Sequence, residues 1–96
     1  MQVRHLTLTG RVQGVGYRQW CAFEAGRRGL AGWVRNRASG AVEAVIAGPA
    51  DEVAAMVEAC RSGPAGARVD DILVHEASQT ALAAGGRDRF TVLPTA

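Results

Sequence analysis

Near residue 10 the apolar period of this chain changes, and that change limits the possible folds more than any other feature. Residues 3–9 alternate, with Leu6 and Leu8 on one face and His5, Thr7 and Thr9 on the other, which predicts a β-strand. From Tyr17 the spacing lengthens. Tyr17, Trp20, Cys21 and Ala25 fall at i, i+3, i+4 and i+8, the core-facing stripe of a helix over residues 17–28. Between the two runs lies Gly10-Arg11-Val12-Gln13-Gly14-Val15-Gly16. Its glycines permit a tight turn and a close approach of backbone to a ligand. At a strand-to-helix junction, successive N–H groups can point inward, and the first helical N–H groups have no intrahelical partner. The helix dipole adds partial positive charge. Arg18, one position into the helix, adds a bidentate fork. The stretch therefore predicts an oxyanion cradle, most naturally for phosphate.

The rest of the chain repeats the same change of period. Gly29 supplies a left-handed cap to the first helix, with Leu30 as its apolar contact. Residues 31–37 form a second strand, Ala38-Ser39-Gly40 a tight hairpin connection, and residues 41–47 a third strand. Gly48-Pro49 breaks that strand and opens a second helix. Asp51 and Glu52 favour its positive end, and Val53, Met56, Val57 and Cys60 form its stripe. Residues 67–76 read as a fourth strand, in which Val69 is out of phase with Ile72 and Val74. That phase slip predicts a bulge or kink near Asp70-Asp71. Residues 77–88 read as an exposed loop, and residues 89–93 as a short final strand.

Strand–helix–strand–strand–helix–strand is the order of the split βαβ, an α+β ferredoxin-like sandwich. It pairs an antiparallel sheet with two helices on one face, here with a short extra C-terminal strand. The first and second strands then run parallel with the third between them. Their carboxyl ends, the glycine-rich loop and Asn36, share one edge of the sheet about 10 Å apart, twice the interstrand spacing. That gap suits a phosphate-sized group and a water.

Two blocks, Gly10-Arg11-Val12-Gln13-Gly14-Val15-Gly16-Tyr17-Arg18 and Gly29-Leu30-Ala31-Gly32-Trp33-Val34-Arg35-Asn36-Arg37-Ala38-Ser39-Gly40-Ala41-Val42-Glu43, resemble the acylphosphatase family in residues and spacing. Gly63-Pro64 and Ala67-Arg68-Val69 also fit, so the resemblance covers essentially the whole chain, residues 1–96, as a single domain. It implies hydrolysis of acyl phosphates to a carboxylate and inorganic phosphate, with no metal, no other cofactor and no phosphoenzyme. By the same resemblance Arg18 binds the phosphoryl group and Asn36 positions the attacking water. The backbone amides of Gln13, Gly14, Val15, Gly16, Tyr17 and Arg18 cradle the phosphate oxygens. The chemistry is consistent with that set. A carboxylate leaves without a general acid, so the remaining tasks are holding the phosphoryl group, spreading its charge and aiming a water. An asparagine amide both donates to and accepts from a water. The chain departs from the family pattern at Arg37, where many members carry Thr or Ser, and at Gly16, where some carry a bulky residue. It also ends in Leu93-Pro94-Thr95-Ala96, without the aromatic that often closes the family's chains.

Composition narrows the alternatives. A net charge of +2 with acidic residues interspersed among the arginines argues against a nucleic-acid surface. An RNA-binding sandwich would also stack bases on its central strands, and residues 3–9 and 41–47 contain no aromatic. The lack of a long apolar run argues against a membrane segment, and the N-terminal residues against a signal peptide, so a cytoplasmic monomer is expected. Cys21 and Cys60 lack metal-ligand spacing and read as small buried hydrophobes; His5 and His75, without nearby ligand partners, read as strand-surface or packing residues and not as catalytic ones. The competing function is a non-catalytic module that binds phosphate or carbamoyl phosphate, like the domains embedded in large hydrogenase-maturation carbamoyltransferases.

Overall fold

The computed structural model describes residues 1–86 and 88–96. Its elements run β1 (Gln2–Arg11), α1 (Tyr17–Arg27), β2 (Ala31–Asn36), β3 (Val42–Gly48), α2 (Ala50–Ser62), β4 (Arg68–Glu76), a 3-10 helix (Gln79–Ala84) and β5 (Phe90–Val92). The sheet order is β4-β1-β3-β2-β5. Every pairing is antiparallel except the last, in which β5 joins β2 in parallel. The architecture is the expected ferredoxin-like sandwich.

Alternation decides what each strand buries. Leu6 and Leu8 of β1, Val42, Ala44 and Ile46 of β3, and Val34 of β2 face the helices. They meet Tyr17, Cys21 and Ala25 of α1 and Val53, Met56 and Cys60 of α2 in one core. The α1 terminus is the expected left-handed cap. Gly29 has φ 71°, and the Leu30 N–H donates back to the Ala25 carbonyl at 2.9 Å.

The bulge in β4 is present, and it explains a glycine. The register of β1 against β4 slips between Thr9 and Gly10, where Thr9 faces Asp71 but Gly10 faces Val69. A Cβ on Gly10 would lie 2.3 Å from the Arg68 carbonyl oxygen and 2.7 Å from the Asp70 nitrogen. Gly10 therefore serves strand pairing.

One sequence expectation needs correction. Residues 77–88, apart from Arg87, which lies outside the described residues, are not merely an exposed loop. Their 3-10 helix buries Leu82 against Val3, Trp33, Val45 and Ala47 on the sheet face away from α1 and α2. The Trp33 indole N–H donates to the Ala81 carbonyl at 2.7 Å. His5 is a half-buried strand residue whose Nε2 lies 2.7 Å from Glu43 Oε2.

Candidate active site

Residues 12–16 join β1 to α1 and alternate between anchors and open backbone. Val12 and Tyr17 are buried, Val15 packs partly against the core, and Gly14 and Gly16 are exposed. Gly14 and Gly16 have φ 74° and 79°, and a Cβ at either would meet nothing within 4 Å. Their requirement is conformational, because left-handed backbone is costly for residues with a Cβ. Among the described residues, the N–H groups of residues 13–18 have no backbone or side-chain acceptor. Six consecutive free donors at a helix N-terminus form an anion-binding surface.

Tyr17 fixes where that helix begins. Its hydroxyl donates to the Cys60 carbonyl at 2.5 Å, satisfying one of the carbonyls left over at the end of α2. Burial pushes the hydroxyl's pKa far above its ordinary value, so the phenol stays a donor. A Cβ on Gly63, just past α2, would come within 2.5 Å of the Tyr17 ring. Arg18 follows, half-buried, with no salt bridge or side-chain hydrogen bond among the described residues. The Arg18 guanidinium thus stands in the first turn of α1, directly after the loop that carries the free N–H groups.

Asn36 is the last residue of β2. It shares the helix-facing side of the sheet with Val34, and both Leu8 of β1 and Asn36 pair with Val42 of β3. One row thus crosses the three strands and sets the two about 10 Å apart. Asn36 is buried, and its Oδ1 has no hydrogen-bond partner among the described residues. A buried unsatisfied acceptor costs about 1–3 kcal/mol, so it is retained where something else donates to it. The backbone around it is fully engaged. The Asn36 carbonyl accepts from the Ala96 N–H at 3.0 Å, and the Ala38 N–H donates to the Ala96 carbonyl at 2.9 Å.

Arg37 lies on the opposite face. Arg35 Nε and Arg37 Nη1 donate to Glu43 Oε1 at 2.7 and 3.3 Å, while His5 holds Oε2. Burial alone would raise the Glu43 carboxyl, but the hydrogen bonds from His5 and Arg35 outweigh it and hold it below its ordinary range. Glu43 thereby pins the residues on both sides of Asn36, in a chain that lacks a hydroxyl at position 37. Sequence reasoning missed this brace, although a hairpin folded at Ser39 places Arg35 opposite Glu43. Cys21 and Cys60 are free thiols in the main core, as expected.

A second contact was also missed. Gln13 Nε2 donates to the carbonyls of Arg37 and Ala41, each at 2.8 Å, tying the loop to the β2–β3 hairpin. The sequence offered only the backbone of Gln13, because its side-chain partners lie 24 and 28 residues away.

Known proteins resemble this chain in sequence and in fold. The profile of the family described as Acylphosphatase matches residues 4–91. A protein named Acylphosphatase from Azorhizobium caulinodans is 69% identical over 68 residues, covering 71% of this chain and 73% of its own length. Another of that name from Rhodopseudomonas palustris is 51% identical over 96 residues, covering 97% of this chain and 95% of its own. The crystal structure of acylphosphatase from Bacillus subtilis superposes with a TM-score of 0.86 at 39% identity, covering 97% of this chain and 99% of that one.

Proposed function

The chain belongs to the acylphosphatase family, whose reaction is hydrolysis of acyl phosphates to a carboxylate and inorganic phosphate, and from that premise we propose how its residues divide the work. The phosphoryl group docks on the N–H groups of Gln13, Gly14, Val15, Gly16, Tyr17 and Arg18, and the Arg18 guanidinium takes two of its oxygens. These donors spread the charge that builds on the phosphoryl oxygens as the bond to the carboxylate lengthens. Asn36 Oδ1 accepts a hydrogen bond from a water and so aims the water's lone pair at phosphorus, opposite the leaving carboxylate. The bond from water oxygen to phosphorus forms as the phosphorus–carboxylate bond breaks. The displaced water proton passes to a phosphoryl oxygen, because an asparagine amide is not a useful base. The products are RCOO⁻ and inorganic phosphate.

The observation that carries this reading is that, among the described residues, Asn36 Oδ1 has no partner and lies on the sheet edge that also bears six N–H donors without acceptors. The reading takes residues 1–96 as one domain acting as a monomer, since both halves of the site come from one chain. It is tested with benzoyl phosphate in EDTA. We expect phosphate release well above the uncatalysed rate, and in ¹⁸O-water the label should enter phosphate and not benzoate. In Arg18→Ala the KM and the inhibition constant of inorganic phosphate should rise at least tenfold. Label in benzoate, or unchanged phosphate affinity in Arg18→Ala, would contradict the assignment.

A further inference from the structure

We infer that the Gln13 side chain is a positioning residue: it couples the phosphate loop to the strand end bearing Asn36 and sets the direction of the attacking water. The inference rests on the reading of Asn36 given above. Gln13 has two roles that can be separated, because its backbone N–H belongs to the cradle while its side chain bonds to the hairpin. The two amide protons on Nε2 match two acceptors, the carbonyls of Arg37 and Ala41, at 2.8 Å each. Those carbonyls bracket the hairpin, which the Arg37 N–H closes onto the Ala41 carbonyl at 2.8 Å. Arg37 is thus held at its N–H by Ala41, at its carbonyl by Gln13 and at its guanidinium by Glu43. Asn36 is the residue immediately before it.

The geometry explains why one side chain matters. The loop lies beyond the end of β1 and Asn36 at the end of β2, with β3 between them. The sheet fixes their rows but not the loop, which carries no strand pairing after Arg11. A phosphoryl group bound by the loop moves with the loop, whereas a water on Asn36 moves with the hairpin. In-line attack needs the two within a few tenths of an ångström, and a shift of about 1 Å can cost on the order of a hundredfold in rate. Among the described residues, Gln13 supplies the side-chain hydrogen bonds from this loop to the hairpin.

Gln13→Met keeps length and the backbone N–H but has no donors, and Gln13→Asn keeps the amide one methylene short. With benzoyl phosphate, both should lower kcat about tenfold or more, with the inhibition constant of inorganic phosphate within about twofold of the unmutated protein. If Gln13 acts through Asn36, Gln13→Met should cost little further in an Asn36→Ala background. Unchanged kcat in both variants, a loss confined to phosphate affinity, or losses that multiply in the double variant would each overturn the coupling. A readout on the unmutated protein covers the case in which the variants do not fold. Both Gln13 side-chain amide protons should be protected from solvent exchange in ¹⁵N spectra, and exchange as fast as in an exposed glutamine overturns the bridge. Full activity in Asn36→Ala defeats the reading of Asn36 itself. Full activity in the Gln13 variants beside a disabled Asn36→Ala defeats only the coupling.

Discussion

Gly10, Gly14 and Gly16 look alike in the chain and do different work. Gly10 accommodates the β4 bulge, where a Cβ would collide with backbone. Gly14 and Gly16 leave open space around a Cβ and owe their identity to positive φ. Gly10→Ala should therefore lower stability by roughly 2–4 kcal/mol, combining strain with a collision neither strand can relieve. Gly14→Ala should cost only about 1–2 kcal/mol, the strain alone. Urea denaturation of the two variants checks the order, and equal losses would contradict it. The sequence grouped the three glycines because a collision across strands depends on pairing register, and no local pattern carries that. The placement of Asn36 was legible for the opposite reason: strand order alone puts it at the shared edge, with no side-chain contact needed, while its role came from the family resemblance.

Among the elements, the β2–β3 hairpin is braced by a cluster of charge. Glu43 accepts from His5, Arg35 and Arg37, and its carboxyl is held below its ordinary value of 4.5. A carboxyl lowered in the folded state stabilises the fold above its unfolded pKa, and that stability is lost as pH falls through the folded value. The melting temperature should drop on acidification below about pH 4.5, and Glu43→Gln should flatten part of that decline. A variant with the same acid limb as the unmutated protein would remove Glu43 from the account. The 3-10 helix Gln79–Ala84 is the element the sequence hid. Leu82 stands alone among small and polar residues, so no period reveals that it is buried. Leu82→Ala should cost about 2–4 kcal/mol if it closes the second core, and a loss under about 1 kcal/mol would make it peripheral.

At the scale of the whole molecule, one crossover topology does the assembly. The order of periods predicted the sandwich and the shared edge, and the sheet order and register bear that out. Side-chain bridges stayed hidden because they link residues far apart in the chain, as Gln13 does with Ala41 and His5 with Glu43. The central claim is that one half of the site binds the phosphoryl group and the other delivers water. Asn36→Ala tests that division most directly, measured as kcat on benzoyl phosphate beside the inhibition constant of inorganic phosphate. We expect kcat to fall about a hundredfold or more with phosphate affinity within about twofold. Retained kcat, or a loss explained by weaker phosphate binding, would contradict it.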